Sequence, residues 1–176
     1  MINIFNDFQS EITELFKAYR MAHFSLYNMK NTFYNFKDIN PEIENFVLED
    51  IDFDNYVRFN ETEINKNSED GLYQRIIAGN TIAMFYNIWE DKYRCTIAKK
   101  IRSEKKEIKS NLFAELNIIR QSITHNNFTA ISDLNKLDKL SFVGNSKHLK
   151  LSSYEVQTIY EEILKEIEEL KIIFHT

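Results

Sequence analysis

Between Asn80 and Val143 the chain contains neither glycine nor proline. Nothing in that stretch removes a backbone donor or relaxes the chain into a left-handed turn, so little stands against helix formation. The whole sequence of 176 residues has only three Gly and one Pro. An all-β sandwich or barrel needs turn residues at roughly every 8–12 positions, and these are absent. With 43% hydrophobic and 28% charged residues, the chain can build a core and is not of disordered composition. The expected architecture is all-α, a single domain over residues 1–176 made of four to five helices.

Hydrophobic spacing locates the helices. Ile4, Phe8, Ile12, Leu15, Phe16 and Tyr19 step along one helical face, and no breaker precedes Pro41, so one long helix is expected over 4–36. Asn40-Pro41 reads as a stop and restart, with a short helix at 41–48 and an irregular, acidic covering segment to about Ser68. From Glu69 to about Arg102, Ile82, Phe85, Trp89, Tyr93, Ile97 and Ile101 again fall at helical spacing. A continuous helix over 80–125 would be about 69 Å long, whereas a domain of this size has a radius of gyration of about 16 Å. A break is therefore predicted between Arg102 and Asn111, in the polar run Ser103-Glu104-Lys105-Lys106-Glu107. The next helix spans Asn111 to Thr124, with Leu112, Leu116, Ile119 and Ile123 as its buried seam, and Asn126-Asn127 ends it. Alternation around Gly144-Asn145 predicts a small β-hairpin within 138–151, before the last helix. Ser152 and Glu155 form a capping-box pattern that opens that helix, which carries Val156, Ile159, Ile163, Ile167 and Leu170.

The net charge of −5 argues against a general nucleic-acid coat protein. The distribution is uneven, however. Residues 92–150 carry 13 Lys and Arg against 5 Asp and Glu, and the remainder is strongly acidic. Such a basic middle is either a solvated lysine-rich helix face or a local attractor for a polyanion. The single cysteine, Cys95, precludes an internal disulfide, and the N-terminus lacks the basic start and apolar run of a signal peptide. No apolar stretch is long enough to cross a bilayer. A cytoplasmic protein with no membrane association is expected.

Phosphate-loop and dinucleotide glycine motifs are absent, as are Glu-x-x-His pairs and His-Glu-x-x-His. The four histidines, His23, His125, His148 and His175, are widely spaced, so neither a metal site nor a cofactor is expected. What remains is the segment Leu116 to Asn127, with Arg120 and His125. A guanidinium fork suits phosphate oxygens, and an imidazole moves protons near neutral pH. Together they suffice to cleave RNA by attack of the ribose 2′-OH. Positions five apart on a helix differ by about 140°. The pair therefore meets only if His125 swings back at a helix end or if the two residues come from different subunits. An exposed Arg and a helix-capping His would leave the same pattern, as would a binding module or a scaffold.

The Arg-x-x-x-x-His motif, followed at once by Asn126 in an all-α chain, resembles the HEPN family (higher eukaryotes and prokaryotes nucleotide-binding domains). Trp89-Glu90-x-x-Tyr93-Arg94-Cys95 on the preceding helix agrees with it. The resemblance implies a helical bundle that pairs through its motif helices. It further implies a metal-independent endoribonuclease acting as a toxin or phage-defence effector, with Arg120 and His125 catalytic. RNA, a second copy, and an antitoxin or nucleotidyltransferase are the implied partners. The family often has Asn, Asp or His directly after the Arg; here Gln121 stands there and retains hydrogen-bonding capacity. Some members carry Tyr two positions after the His as the site of adenylylation, and here that position is Asn127. Gln121, Asn126 and Arg94 are candidate substrate contacts, although Arg94 also stands four residues from Glu90, the spacing of a helical salt bridge. Glu115 is expected at the surface. The flank of Phe113, Asn117 and Arg120 is expected to face a two-fold mate.

Overall fold

The computed structural model describes residues 1–50, 55–144 and 148–174. Helix α1 (Ile2–Ile39) is followed by a two-stranded antiparallel ribbon, β1 (Asn45–Asp50) and β2 (Asn55–Asn60), and a short helix α2 (Glu61–Asn65). Helix α3 (Leu72–Asn87) runs without a break through a π-helical turn (Ile88–Tyr93) into α4 (Arg94–Ile101). Helix α5 (Asn111–His125) follows a short 3₁₀ turn, and α6 (Ser153–Ile173) closes the bundle. The molecule is mostly α, with one small hairpin. None of the described helices is long and apolar enough to cross a membrane.

Helix α3 occupies the centre, packed on α1 on one side and α5 on the other, while α6 lies along α1. Phe5, Phe8, Ile12, Phe16 and Tyr19 of α1 are buried, as are Leu112, Leu116, Ile119 and Ile123 of α5 and the predicted stripe of α6. The centre of the core is aromatic. Phe8 stacks on Tyr93 with ring centroids 4.4 Å apart, and Trp89 lies parallel to Phe113 at 4.5 Å. Phe113 is thus a core residue and not part of a face left for a mate. The aromatic partner that claims it comes from another helix, which periodicity along α5 does not register.

The π turn explains how one rod supplies that core. Phe85, Trp89, Tyr93 and Ile97 are all buried yet spaced by four. On an ideal α-helix each such step drifts about 40°, and three would carry Ile97 well off the stripe. The wider turn, in which Arg94 N–H donates to the Trp89 carbonyl, absorbs the drift. Ile101, the last residue of the predicted stripe, is 37% exposed at the end of α4.

The predicted break is present. Arg102 ends α4 with a left-handed φ of 59°, and α5 begins at Asn111 under a cap in which Ser110 Oγ accepts from Phe113 N–H. The turn after α5 is tight: Asn127 and Phe128 both have positive φ, and the Phe128 ring lies against Gly79. A Cβ at Gly79 would stand 2.6 Å from that ring, so the close approach of α3 to the α5 corner requires glycine.

Further expectations are corrected. The short helix at 41–48 does not form: Asn45–Asp50 is a strand paired with β2, Phe46 opposite Phe59 and Leu48 opposite Val57. Aromatic and β-branched residues in both segments favour the pleated ribbon over a helix. Of the hairpin expected within 138–151, the described residues show a 3₁₀ turn (Ser141–Val143) and one isolated bridge between Thr129 and His148. Lys150 N–H does donate to the Val143 carbonyl, while the intervening Asn145, Ser146 and Lys147 lie outside the described residues. This segment serves as an irregular cap on the bundle, burying Leu134, Leu137, Leu140, Val143, Leu149 and Leu151. Glu115 is buried, not superficial, and holds the cap by accepting from the backbone N–H of Lys139 (3.3 Å) and Leu140 (2.9 Å).

Candidate functional site

Helix α5 carries the motif to its last residue. Arg120 is half-buried on the side facing α3, and its guanidinium lies 5.6 Å from the centroid of the Tyr86 ring. A cation over a ring face is held by the quadrupole without being neutralised. The Arg120 side chain makes no ion pair or hydrogen bond among the described residues. His125 ends the helix and is exposed, as are Gln121 and Asn126. Within the protomer no hydrogen bond or ring contact joins Arg120 to His125. The helix remains regular through His125, and the roughly 140° between the two positions is preserved.

Arg94 has a different environment. Its Nε donates to the Ile108 carbonyl at 2.8 Å and its guanidinium pairs with Glu90 Oε2 at 2.8 Å. It therefore ties α4 to the loop that leads into α5. Lys105 Nζ approaches the other oxygen of Glu90 at 2.7 Å. Partial burial raises the Glu90 carboxyl, but these two cations outweigh it and hold the group below the usual carboxylate range. Tyr86 is shifted the other way, first by burial and then by the Glu90 charge, with Arg120, Arg94 and Lys105 opposing. Cys95 is half-buried, its thiol 3.7 Å from the Glu90 carbonyl.

Between the π turn and the start of α5 lies a cleft of about 280 Å³. Tyr86, Trp89 and Glu90 form one wall, and Asn111, Phe113 and Asn117 the other. Tyr86 thus lines the cleft and carries Arg120 at its end. No periodicity or motif singles out Tyr86, because its role depends on which turn of α5 packs beside it. Asn117 stands three residues before Arg120, a spacing that puts both on one helix face. No family model, curated protein or solved structure matches this chain. Among the described residues, no three of His, Cys, Asp and Glu are grouped so as to hold a metal ion.

Proposed function

We propose that this protein is a metal-independent endoribonuclease of HEPN type, cytoplasmic, with Arg120 and His125 as the catalytic pair, acting as a toxin or phage-defence effector restrained by an antitoxin. The observation that supports it best is the contrast between two arginines. Arg94 is consumed by Glu90 and Ile108, whereas Arg120 is oriented on Tyr86 with its fork unpaired. An oriented, uncompensated guanidinium beside a cleft is suited to a phosphate. Because one protomer holds Arg120 and His125 apart, the active species in this reading is a homodimer paired along α5, in which Arg120 of one copy stands near the motif His of the other. There His125 takes the 2′-OH proton, the 2′-oxygen attacks phosphorus, and the bond from phosphorus to the 5′-oxygen breaks, that oxygen taking a proton from water. The products are a 2′,3′-cyclic phosphate and a 5′-OH, and Arg120 stabilises charge on the phosphorane oxygens.

The test is incubation of purified protein with total RNA and with DNA, in the presence of EDTA. Discrete RNA fragments ending in a cyclic phosphate are expected, with DNA intact. Arg120→Ala should slow cleavage by about 10²–10³-fold, and His125→Ala should abolish it with the helical circular dichroism unchanged. Light scattering should give a dimer. Absence of cleavage, or a monomer that cleaves normally, rejects this reading. The retained separation of the pair within the protomer would then favour a non-catalytic nucleotide- or RNA-binding module.

A further inference from the structure

Between Arg94 and Ser110 the chain carries seven Lys and Arg against two Glu. The two acids are engaged locally: Glu104 pairs with Lys106 at 2.7 Å, and Glu107 accepts from the Ser103 hydroxyl and the Glu104 N–H. Three of the cations are answered, Arg94 and Lys105 by Glu90 and Lys106 by Glu104. The side chains of Lys99, Lys100, Arg102 and Lys109 are exposed and make no ion pair or hydrogen bond among the described residues. Lysines on α1 and α6 are treated differently: Lys17, Lys165 and Lys171 each pair with a glutamate three residues before. The negative end of the helix dipole accommodates Lys99 and Lys100 in the last turn of α4. It does not account for the other two. Arg102 is the left-handed residue of a Schellman turn, with Ser103 N–H donating to the Ala98 carbonyl at 2.9 Å and Arg102 N–H to the Lys99 carbonyl at 3.3 Å. That position is ordinarily glycine's, because a Cβ is strained there. Lys109 immediately precedes the Ser110 cap of α5, where the positive end of that helix's dipole opposes a cation. Two free cations thus stand where the local backbone disfavours them.

A chain of phosphates is a ligand that favours both placements. The loop after Arg102 folds back along α4, since the Ile108 carbonyl accepts from Arg94 Nε. Arg94 and Arg102 are eight residues apart, about 12 Å of helix, so the free cations are spread along a line. A single small anion would engage only one or two of them, whereas a strand free to bend can follow them all. Lys109 lines the same cleft as Tyr86, the ring that carries Arg120. We infer that Lys99, Lys100, Arg102 and Lys109 form a backbone-binding track for single-stranded RNA, leading the strand past the cleft to Arg120. The inference rests on the ribonuclease reading for the identity of the strand, but binding is measured without cleavage.

The probe is a fluorescein-labelled 2′-O-methyl oligoribonucleotide of about 12 nucleotides, which has no free 2′-OH and so cannot be cut by 2′-OH attack. Its anisotropy is followed against the full chain as salt is raised. Log affinity should fall linearly with log salt at a slope of about −3.5, the four track cations and Arg120 contributing roughly 0.7 each on a single strand. Arg102→Gly should weaken binding and reduce the slope by about 0.7, yet raise the thermal midpoint as the left-handed strain is relieved. Lys109→Gln should act on binding in the same way without lowering the midpoint. Lys165→Gln on α6 removes the same charge from a paired site and should leave the slope unchanged. No binding at about 10⁻⁴ M protein, a slope untouched by Arg102→Gly and Lys109→Gln, or an equal change in Lys165→Gln overturns the track even if RNA is cut. A lowered midpoint in Arg102→Gly shows that Arg102 is placed for stability and removes it from the track. Tighter binding of a duplex of the same sequence overturns the single-strand assignment. A track that passes these tests in a protein that cuts no RNA stands, and only the nuclease is rejected.

Discussion

Phe8 and Phe24 belong to the same helix. Phe8 is fully buried in a stack with Tyr93, Trp89 and Phe113, whereas Phe24 is 63% exposed. The division is general. Up to Tyr19, α1 is covered by α3 and α6. Beyond it only Phe33 is buried, and Phe36, Ile39 and both faces of the hairpin (Val47, Leu48, Tyr56, Val57) remain exposed. A helical stripe records the capacity to be buried, and burial follows only where another element arrives. The seam between the two regions is polar. His23 Nδ1 lies 2.9 Å from Gln74 Oε1, Gln74 donates to the His23 carbonyl, and Glu69 accepts from the Ser153 N–H at the start of α6.

The largest effect is expected in the dense half. Phe8→Ala should cost about 3–5 kcal/mol, read as a lowered urea midpoint, because the ring is fully enclosed by aromatic neighbours. A loss below about 1 kcal/mol would show that the stack contributes little. A smaller effect is expected at the seam. Burial raises the carboxyls of Glu69 and Glu155, but the hydrogen bonds from Ser153 and those from Ser152 and Lys150 outweigh it and hold both below the ordinary value. A depressed folded pKa gives stability that is present above the unfolded value of 4.5 and is lost as pH falls through the folded one. Stability should therefore fall from pH 5 downward. Glu155→Gln, at a buried site whose carboxylate reaches back to Ser152 N–H at 3.0 Å, should cost about 1 kcal/mol at neutral pH and flatten that slope. An unchanged acid profile in the variant would remove Glu155 from the account. The smallest effect belongs to the open half: Phe24→Ala should change stability by no more than about 0.5 kcal/mol. A loss as large as that of Phe8→Ala would mean that a partner covers this face in solution.

The helices were legible because periodicity, scarce glycine and a capping box act locally. The spans of α1, α5 and α6 and the break after Arg102 follow from residues within a turn or two of one another. The motif of Arg120 and His125 was equally legible, being contiguous on one helix. The ribbon at 45–60 was not, since a strand needs a partner strand and the acidic, Asn-rich segment masked its alternation. Nor was the burial of Glu115, which depends on two backbone N–H groups more than twenty residues away.

By itself, then, the sequence determined a mostly helical chain, broken once in its basic middle, with an arginine and a histidine at the end of one helix. Only the tertiary structure decided which apolar stripe found cover, where a π turn kept Trp89 and Tyr93 on the core, and that Arg94 is spent on Glu90 while Arg120 is left to Tyr86. The reason is one of range. Hydrogen-bonded turns and caps are set by neighbours in the chain, whereas burial and charge pairing are set by whichever side chains other elements bring within contact distance.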